Sequence, residues 1–226
     1  MLIEEAIWIG EELKKISKPN YKFLNIGSSN LKHRNIVQPH MNEYIFKPLC
    51  LKKVKIIHTD IKADEGVDLV GDLTDQNFIN ELYNETFDGI ICTNLLEHII
   101  DKKLIINTID KVLKKGAYCL ITVPYNYPYH IDPIDTMYRP RPEEIYKLFD
   151  GYELVSSECL TAKRVYKGKF QKNYFAMLKQ NPNLFLRLIF RCFLPFYKYH
   201  KWKITIKDIS KMFKDFQVSC VLIKKI

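Results

Sequence analysis

The residues best placed to do chemistry stand where apolar runs end. "KFLNIG" closes on Gly27 and is followed by Ser28, Ser29 and Asn30. A glycine there lets a ligand approach the backbone, and small polar residues after it leave N–H donors exposed. Only one glycine is present, so this is not the G-x-G-x-x-G turn that seats a pyrophosphate. "VKIIHTD" ends at Asp60, whose carboxylate can accept two hydrogen bonds from a vicinal diol such as that of ribose. From position alone, a surface acid ending a strand is the commoner meaning of such a residue. "VDLVGDLTD" supplies Asp72, an acceptor suited to an adenine exocyclic amine, and Asp75, better placed to cap a helix. "FDGIICTNLLEHI" ends a strand at Thr93–Asn94 and turns through Leu95, Leu96, Glu97 and His98. Ligands of open α/β sheets bind at carboxyl ends of strands, which is where all four segments stop.

The elements that must hold these residues can be read from hydrophobic periodicity. Apolar strand-like runs fall at 22–27, 54–60, 67–72, 87–94, 117–124, 152–160 and 216–225. The middle ones are almost continuously apolar, as strands covered on both faces are. Helical patterns alternate with them at 3–16, 75–84, 101–114 (stopped by Gly116) and 142–149, the last opening on a proline. Residues 31–52 have no clean period and read as a loop with a short helix. The fold class is α/β: a Rossmann-like, seven-stranded, mostly parallel sheet with helices on both faces. A single domain over 1–226 is expected, with a basic-aromatic helical insertion at 161–215 before the last strand.

Composition narrows the functional classes. With 226 residues and 47% apolar content, the chain can bury a substantial core. Its net charge of +9, from 35 Lys+Arg against 26 Asp+Glu, favours anionic partners. None of the six cysteines forms a C-x-x-C pair, and no zinc-site spacing occurs. Cys92, Cys119 and Cys220 sit in apolar runs and read as small buried hydrophobes, which fits a reducing cytoplasm. The N-terminal segment reads as an amphipathic helix rather than a signal peptide, and no uncharged apolar run is long enough to span a bilayer. Residues 184–203, "LFLRLIFRCFLPFYKYHKWK", mix rings with cations. That mixture suits an anionic membrane surface, so a peripheral position at the inner face is one reading. Packing on the sheet or on a second copy is another. Nucleic acid is disfavoured, because the cations are interleaved with bulky apolar residues.

In order and spacing, "IGSSN", "GDLTD" and "FDGIICTNLLEHI" resemble class I S-adenosylmethionine-dependent methyltransferases, over roughly residues 20–125. The resemblance implies S-adenosylmethionine as cofactor. Asn25, Gly27, Ser28 and Ser29 would line its methionine and ribose side. Asp60 would hold the ribose hydroxyls with Ile61 beside it. Asp72 and Leu73 would meet the adenine, and Asn94 and Leu95 the methionine portion. His98 would be structural. The chain departs from the pattern at Asn25, where an acid is usual, and at Ser29, where a second glycine is usual. A non-catalytic binding or scaffold relative therefore stays open beside the enzyme, as does an RNA or DNA methyltransferase.

Similar proteins carry a proline-rich loop with His, Asp and Arg where this chain has residues 124–149. His130 would be the general base for a hydroxyl acceptor, since a histidine titrates near neutrality. Arg139 would grip a carboxylate or phosphate on the substrate, and Tyr125, Tyr127 and Tyr129 would stack on a sugar or base. The competing meaning is a lid whose His130, Asp135 and Arg139 bond to one another. The expected acceptor is a small molecule, a sugar or a lipid-linked group, methylated on oxygen.

Overall fold

The computed structural model describes residues 1–129, 134–162 and 215–226. The chain divides into two units, Met1–Thr161 with Gln217–Ile226 and Ala162–Phe216. The second lies almost wholly outside the described residues, as do His130 and the segment 184–203.

Helix α1 (Ile3–Ile16) opens with Glu4 and Glu5 and closes with Lys14 and Lys15, each charge complementing the helix dipole at its end. It buries Ala6, Trp8, Ile9 and Leu13. Strand β1 (Lys22–Ile26) follows. Where a loop with one short helix is expected, the chain forms a run of helical turns. These are His33–Val37, α2 (Pro39–Met41), Asn42–Phe46 and α3 (Lys47–Leu51). The first and third are widened turns: the N–H of Gln38 reaches back five residues to the His33 carbonyl. Such turns break the 3.6-residue period, which hides them from a periodicity reading.

The strands β2 (Lys55–Asp60), β3 (Leu69–Val70), β4 (Phe87–Thr93), β5 (Leu113–Pro124), β6 (Tyr152–Ala162) and β7 (Phe216–Lys225) complete one seven-stranded sheet. Its order is β3-β2-β1-β4-β5-β7-β6. The β3-β2, β2-β1, β1-β4 and β4-β5 pairs are parallel, while β7 runs antiparallel to β5. Strand β3 is only two residues long, shorter than the run at 67–72 suggests. Strand β5 begins at Leu113, four residues earlier than expected. Gly116 does not stop a helix; it lies inside β5 at φ +79, near an irregularity in the pairing with β4.

Helix α4 (Gln76–Leu82) is capped by Asp75, whose side chain accepts the Asn77 N–H. Helix α5 (Lys102–Val112) is capped in the same way by Asp101. Alternation along the strands sorts the core. Leu24, Ile26, Ile90, Cys92, Cys119, Ile121 and Val123 pack with Phe78, Leu82, Ile105, Ile109 and Val112 of α4 and α5. The intervening Asn25 and Thr122 bond to His58 and to Glu5 of α1 respectively, so α1 serves the opposite face. The short helix α6 (Pro142–Tyr146) starts at the expected proline.

At the centre of the sheet Gly89 of β4 pairs with Phe23 of β1. A Cβ at Gly89 would stand 2.5–2.8 Å from three atoms of the Phe23 ring. Gly89→Ala is expected to destabilise the fold by about 1–3 kcal/mol, as overpacking of a core does. Urea unfolding should show this as a lower midpoint with an unchanged slope.

Candidate active site at the carboxyl edge of the sheet

Strand order reverses at β1, whose neighbours are β2 and β4. The crevice outside the carboxyl ends at such a reversal is where open α/β sheets take ligands. Parallel pairing sets Ile26 level with Thr59 of β2 and Cys92 of β4. The turns after β1, β2 and β4 therefore start side by side, which brings together residues 27–30, 60–61 and 94–98.

The turn after β1 is built without the expected second glycine. Gly27 has φ +67 and Ser29 φ +57. A Cβ on Gly27 would sit 3.0 Å from Leu95 Cδ1, so the two turns are already in contact there. A serine held left-handed costs on the order of 1–3 kcal/mol. Asp60 offsets part of this: its Oδ2 accepts the Ser29 N–H at 2.8 Å. Its Oδ1 accepts the Lys62 N–H at 3.1 Å. The rest comes from Arg34, a residue sequence reasoning missed. Its side chain, 2% exposed, donates through Nη1 to the carbonyls of Ser28 and Ser29 and through Nη2 to that of Gly66. Each bond from a charged donor contributes about 1.5–3 kcal/mol. Burial lowers the pKa of Arg34, with Asp68 and Asp60 acting the other way, and the group stays charged.

Asn25 is buried, and its amide lies 3.0 Å from His58 Nδ1 across the β1-β2 pair. Burial, and then the Arg34 charge, push the His58 pKa down to about 4. Asn25 thus bonds within the sheet to a neutral imidazole. Asp72 Oδ1 accepts both the N–H and the hydroxyl of Thr74, closing the turn before α4. Ile61 is 61% exposed directly after Asp60, and Leu73 is partly buried against the core.

The turn after β4 carries the densest network. Asn94 has φ +50; its N–H meets the Thr122 carbonyl, and its amide donates to Glu5 Oε1 at 2.7 Å. The same oxygen accepts the Thr122 hydroxyl at 2.6 Å, and Oε2 accepts the Leu2 N–H. Glu5 therefore fastens α1 to the ends of β4 and β5. Its only sequence signal is a glutamate in a helix's first turn. Leu95, Leu96 and Glu97 lead into the short turn Leu96–His98.

Residues 134–139 strap over this turn. Thr136 donates its N–H and hydroxyl to the Glu97 carbonyl, and His98 Nδ1 meets the Ile134 carbonyl. A carbonyl only accepts, so Nδ1 carries the proton, and His98 fastens the strap. Arg139 Nη2 donates to the buried Asp135 carboxylate at 2.6 Å, with further bonds to the Tyr127 and Tyr138 carbonyls. Arg139 thus bonds within the loop, to Asp135 as the lid alternative has it. His130, the expected base, lies outside the described residues.

Glu97 itself is fully buried, and among the described residues no neighbour hydrogen-bonds to either carboxyl oxygen; His98 Nε2 lies 3.7 Å from Oε1. Burial raises its pKa to about 8; its own backbone N–H and Arg139 act against this, and the nearby Glu5 and Asp135 with it. Burial first, and then Glu97, push the Cys92 thiol up to about 12. Cys92, Cys119 and Cys220 are buried, as their apolar settings suggest.

Residues 26–156 match the family described as a methyltransferase domain. The match spans more than half of the chain, and the chain belongs to this family. Among solved structures it is similar to coclaurine N-methyltransferase bound to N-methylheliamine and SAH. There the identity is 15%, coverage is 98% of this chain and 71% of that one, and the TM-score is 0.57. It is similar to the cyclase SpnF at 13% identity, 98% and 82% coverage and TM-score 0.57. It is similar to the MccD protein at 13% identity, 96% coverage of each chain and TM-score 0.56. A search of curated proteins returns no match. The family is that of methyltransferase domains, and the sheet has the Rossmann-like fold of the solved structures named above.

A buried acid has a consequence for pH. Glu97 keeps its proton in the fold up to about pH 8, whereas an unfolded glutamate loses it above about 4.3. The folded state then binds more protons over this interval, so stability falls as pH rises from about 5 to 8. The slope from this residue is at most ~1.4 kcal/mol per pH unit. In Glu97→Gln that component is expected to vanish, and thermal unfolding midpoints measured across this range should lose the matching decline.

Proposed function

We propose that the carboxyl edge of β1, β2 and β4 holds S-adenosylmethionine and presents its methyl group to a small-molecule acceptor. The observation that carries this is the bonding of Asp60. Each of its oxygens accepts one backbone N–H, from Ser29 and from Lys62. Each keeps one further acceptor direction, which fits a vicinal diol. The turn at Gly27, Ser28 and Ser29 and the turn at Asn94 and Leu95 would flank the methionine portion. Ile61, Leu73 and Asp72 would border the adenine. The bound cofactor supplies an activated methyl on sulfur, so the protein's task is chiefly to align the acceptor with it and to exclude water.

The finer reading is O-methylation of a sugar or lipid-linked hydroxyl. Aromatic rings near the strap support it: Tyr125 stacks under Arg141, and Tyr129 is 57% exposed, leaving an open face for a sugar. Removal of the hydroxyl proton is assigned to His130 on sequence grounds. Acceptor choice is assigned to the insertion 161–215, whose basic-aromatic composition also suits an anionic headgroup. Among the described residues no helix is long and apolar enough to cross a membrane.

Calorimetric titration with S-adenosylhomocysteine tests the cofactor site. Binding by the wild type and a loss of tenfold or more in Asp60→Ala are expected. No binding by the wild type, or an unchanged constant in the variant, overturns the assignment. A panel of hydroxyl and amine acceptors tests the finer reading, and methylation confined to amines would refute it.

A further inference from the structure

We infer that Arg34 is the positioning residue of the cofactor turn, holding Ser29 in the left-handed conformation for which glycine is the usual choice. The inference rests on the cofactor assignment above for its ligand, and on the geometry of the turn for its mechanism. The Ser29 peptide groups are gripped from two directions. Asp60 takes the N–H, and the Arg34 guanidinium takes the carbonyl. The adjacent carbonyl, that of Ser28, is bonded to the same Nη1. The Ser28 N–H bonds to the Thr59 carbonyl, so the backbone of residues 28 and 29 is fixed at both N–H groups and both carbonyls.

The other end of the guanidinium is fixed as tightly. Nη2 donates to the Gly66 carbonyl at 2.7 Å. Gly66 has φ +79, and a Cβ there would stand 2.7 Å from Nη2 and 2.7 Å from Leu31 Cβ. Arg34 therefore ties the turn after β1 to the loop after β2, the two segments that also meet through Asp60. Its own backbone is set by the N–H bond to the Asn30 carbonyl, the residue that ends the turn. Three carbonyls at fixed angles need a planar, forked donor. Lysine, a single point charge on a flexible stem, cannot reproduce the set.

If the role of Arg34 is to hold Ser29 left-handed, a glycine at 29 lessens the need for it, because glycine adopts that conformation without penalty. The test is a double-mutant cycle read by S-adenosylhomocysteine affinity, with hydrogen exchange of the peptide covering residues 27–31 as a ligand-free readout. Arg34→Lys is expected to weaken binding by about tenfold or more and to speed exchange in this peptide while the β4 and β5 peptides keep their protection. Ser29→Gly alone sets the reference affinity for the second arm of the cycle. Arg34→Lys in the Ser29→Gly background should recover at least half of the lost affinity on a logarithmic scale. Losses that simply add overturn the proposal, as would wild-type affinity and exchange in Arg34→Lys. A wild type that fails to bind the ligand sinks the cofactor assignment instead. In that case exchange alone decides on the clamp: accelerated exchange in the 27–31 peptide of Arg34→Lys supports it, and unchanged exchange refutes it.

Discussion

Parallel pairing of β1 on both of its edges is the constraint on which the rest of the structure depends. Because β2 and β4 run alongside it in fixed register, Ile26, Thr59 and Cys92 are level, and three turns begin from one line. Key polar interactions at the candidate site then span two of those turns or reach a neighbouring element. Asp60 bonds to Ser29, Arg34 reaches Gly66, and Asn94 meets Glu5. Central close packing sustains the register. Gly89 leaves room for the Phe23 ring, and a one-residue slip of β1 would send that ring to the opposite face.

Much of this was legible in the sequence because strand patterning is local. The seven apolar runs correspond to the seven strands, and Asp60, Asn94 and Leu95 stand at strand ends as expected. What was not legible shares a different physics. The widened turns within 33–51 carry no 3.6-residue period. The β5 extension to Leu113 depends on a pairing partner, Phe87, rather than on its own composition. Arg34 and Glu5 are charged residues on helical segments, where a sequence suggests solvent. Only the tertiary fold shows that each is buried and what it bonds. Arg139 is paired with Asp135, four residues away, which is the Asp–Arg bond of the lid alternative.

The electrostatics of the edge follow from that burial. Glu5 is satisfied by three donors, Asp135 is matched by Arg139, and Glu97 has neither arrangement and keeps its proton instead. An unpaired buried charge is among the costliest groups a protein can hold, and protonation is the way out. The +9 charge of the whole chain is thus a poor guide to this region, where the buried ionisable groups are mostly acids.

The Glu5 latch also bears on how the chain assembles. Its buried carboxylate bonds to residues 89 and 117 positions further along the chain, and otherwise only to the Leu2 N–H. Helix α1 is made before β4 and β5, yet its acid has two of its three donors only once the strand bearing Thr122 has been made and paired. Closing so long a loop is entropically slow and late. The Glu5 bonds therefore wait for the pairing of β4 with β5, although the apolar face of α1 can pack earlier. The edge that would receive the cofactor is thus completed by a helix that precedes, in the chain, every strand it closes.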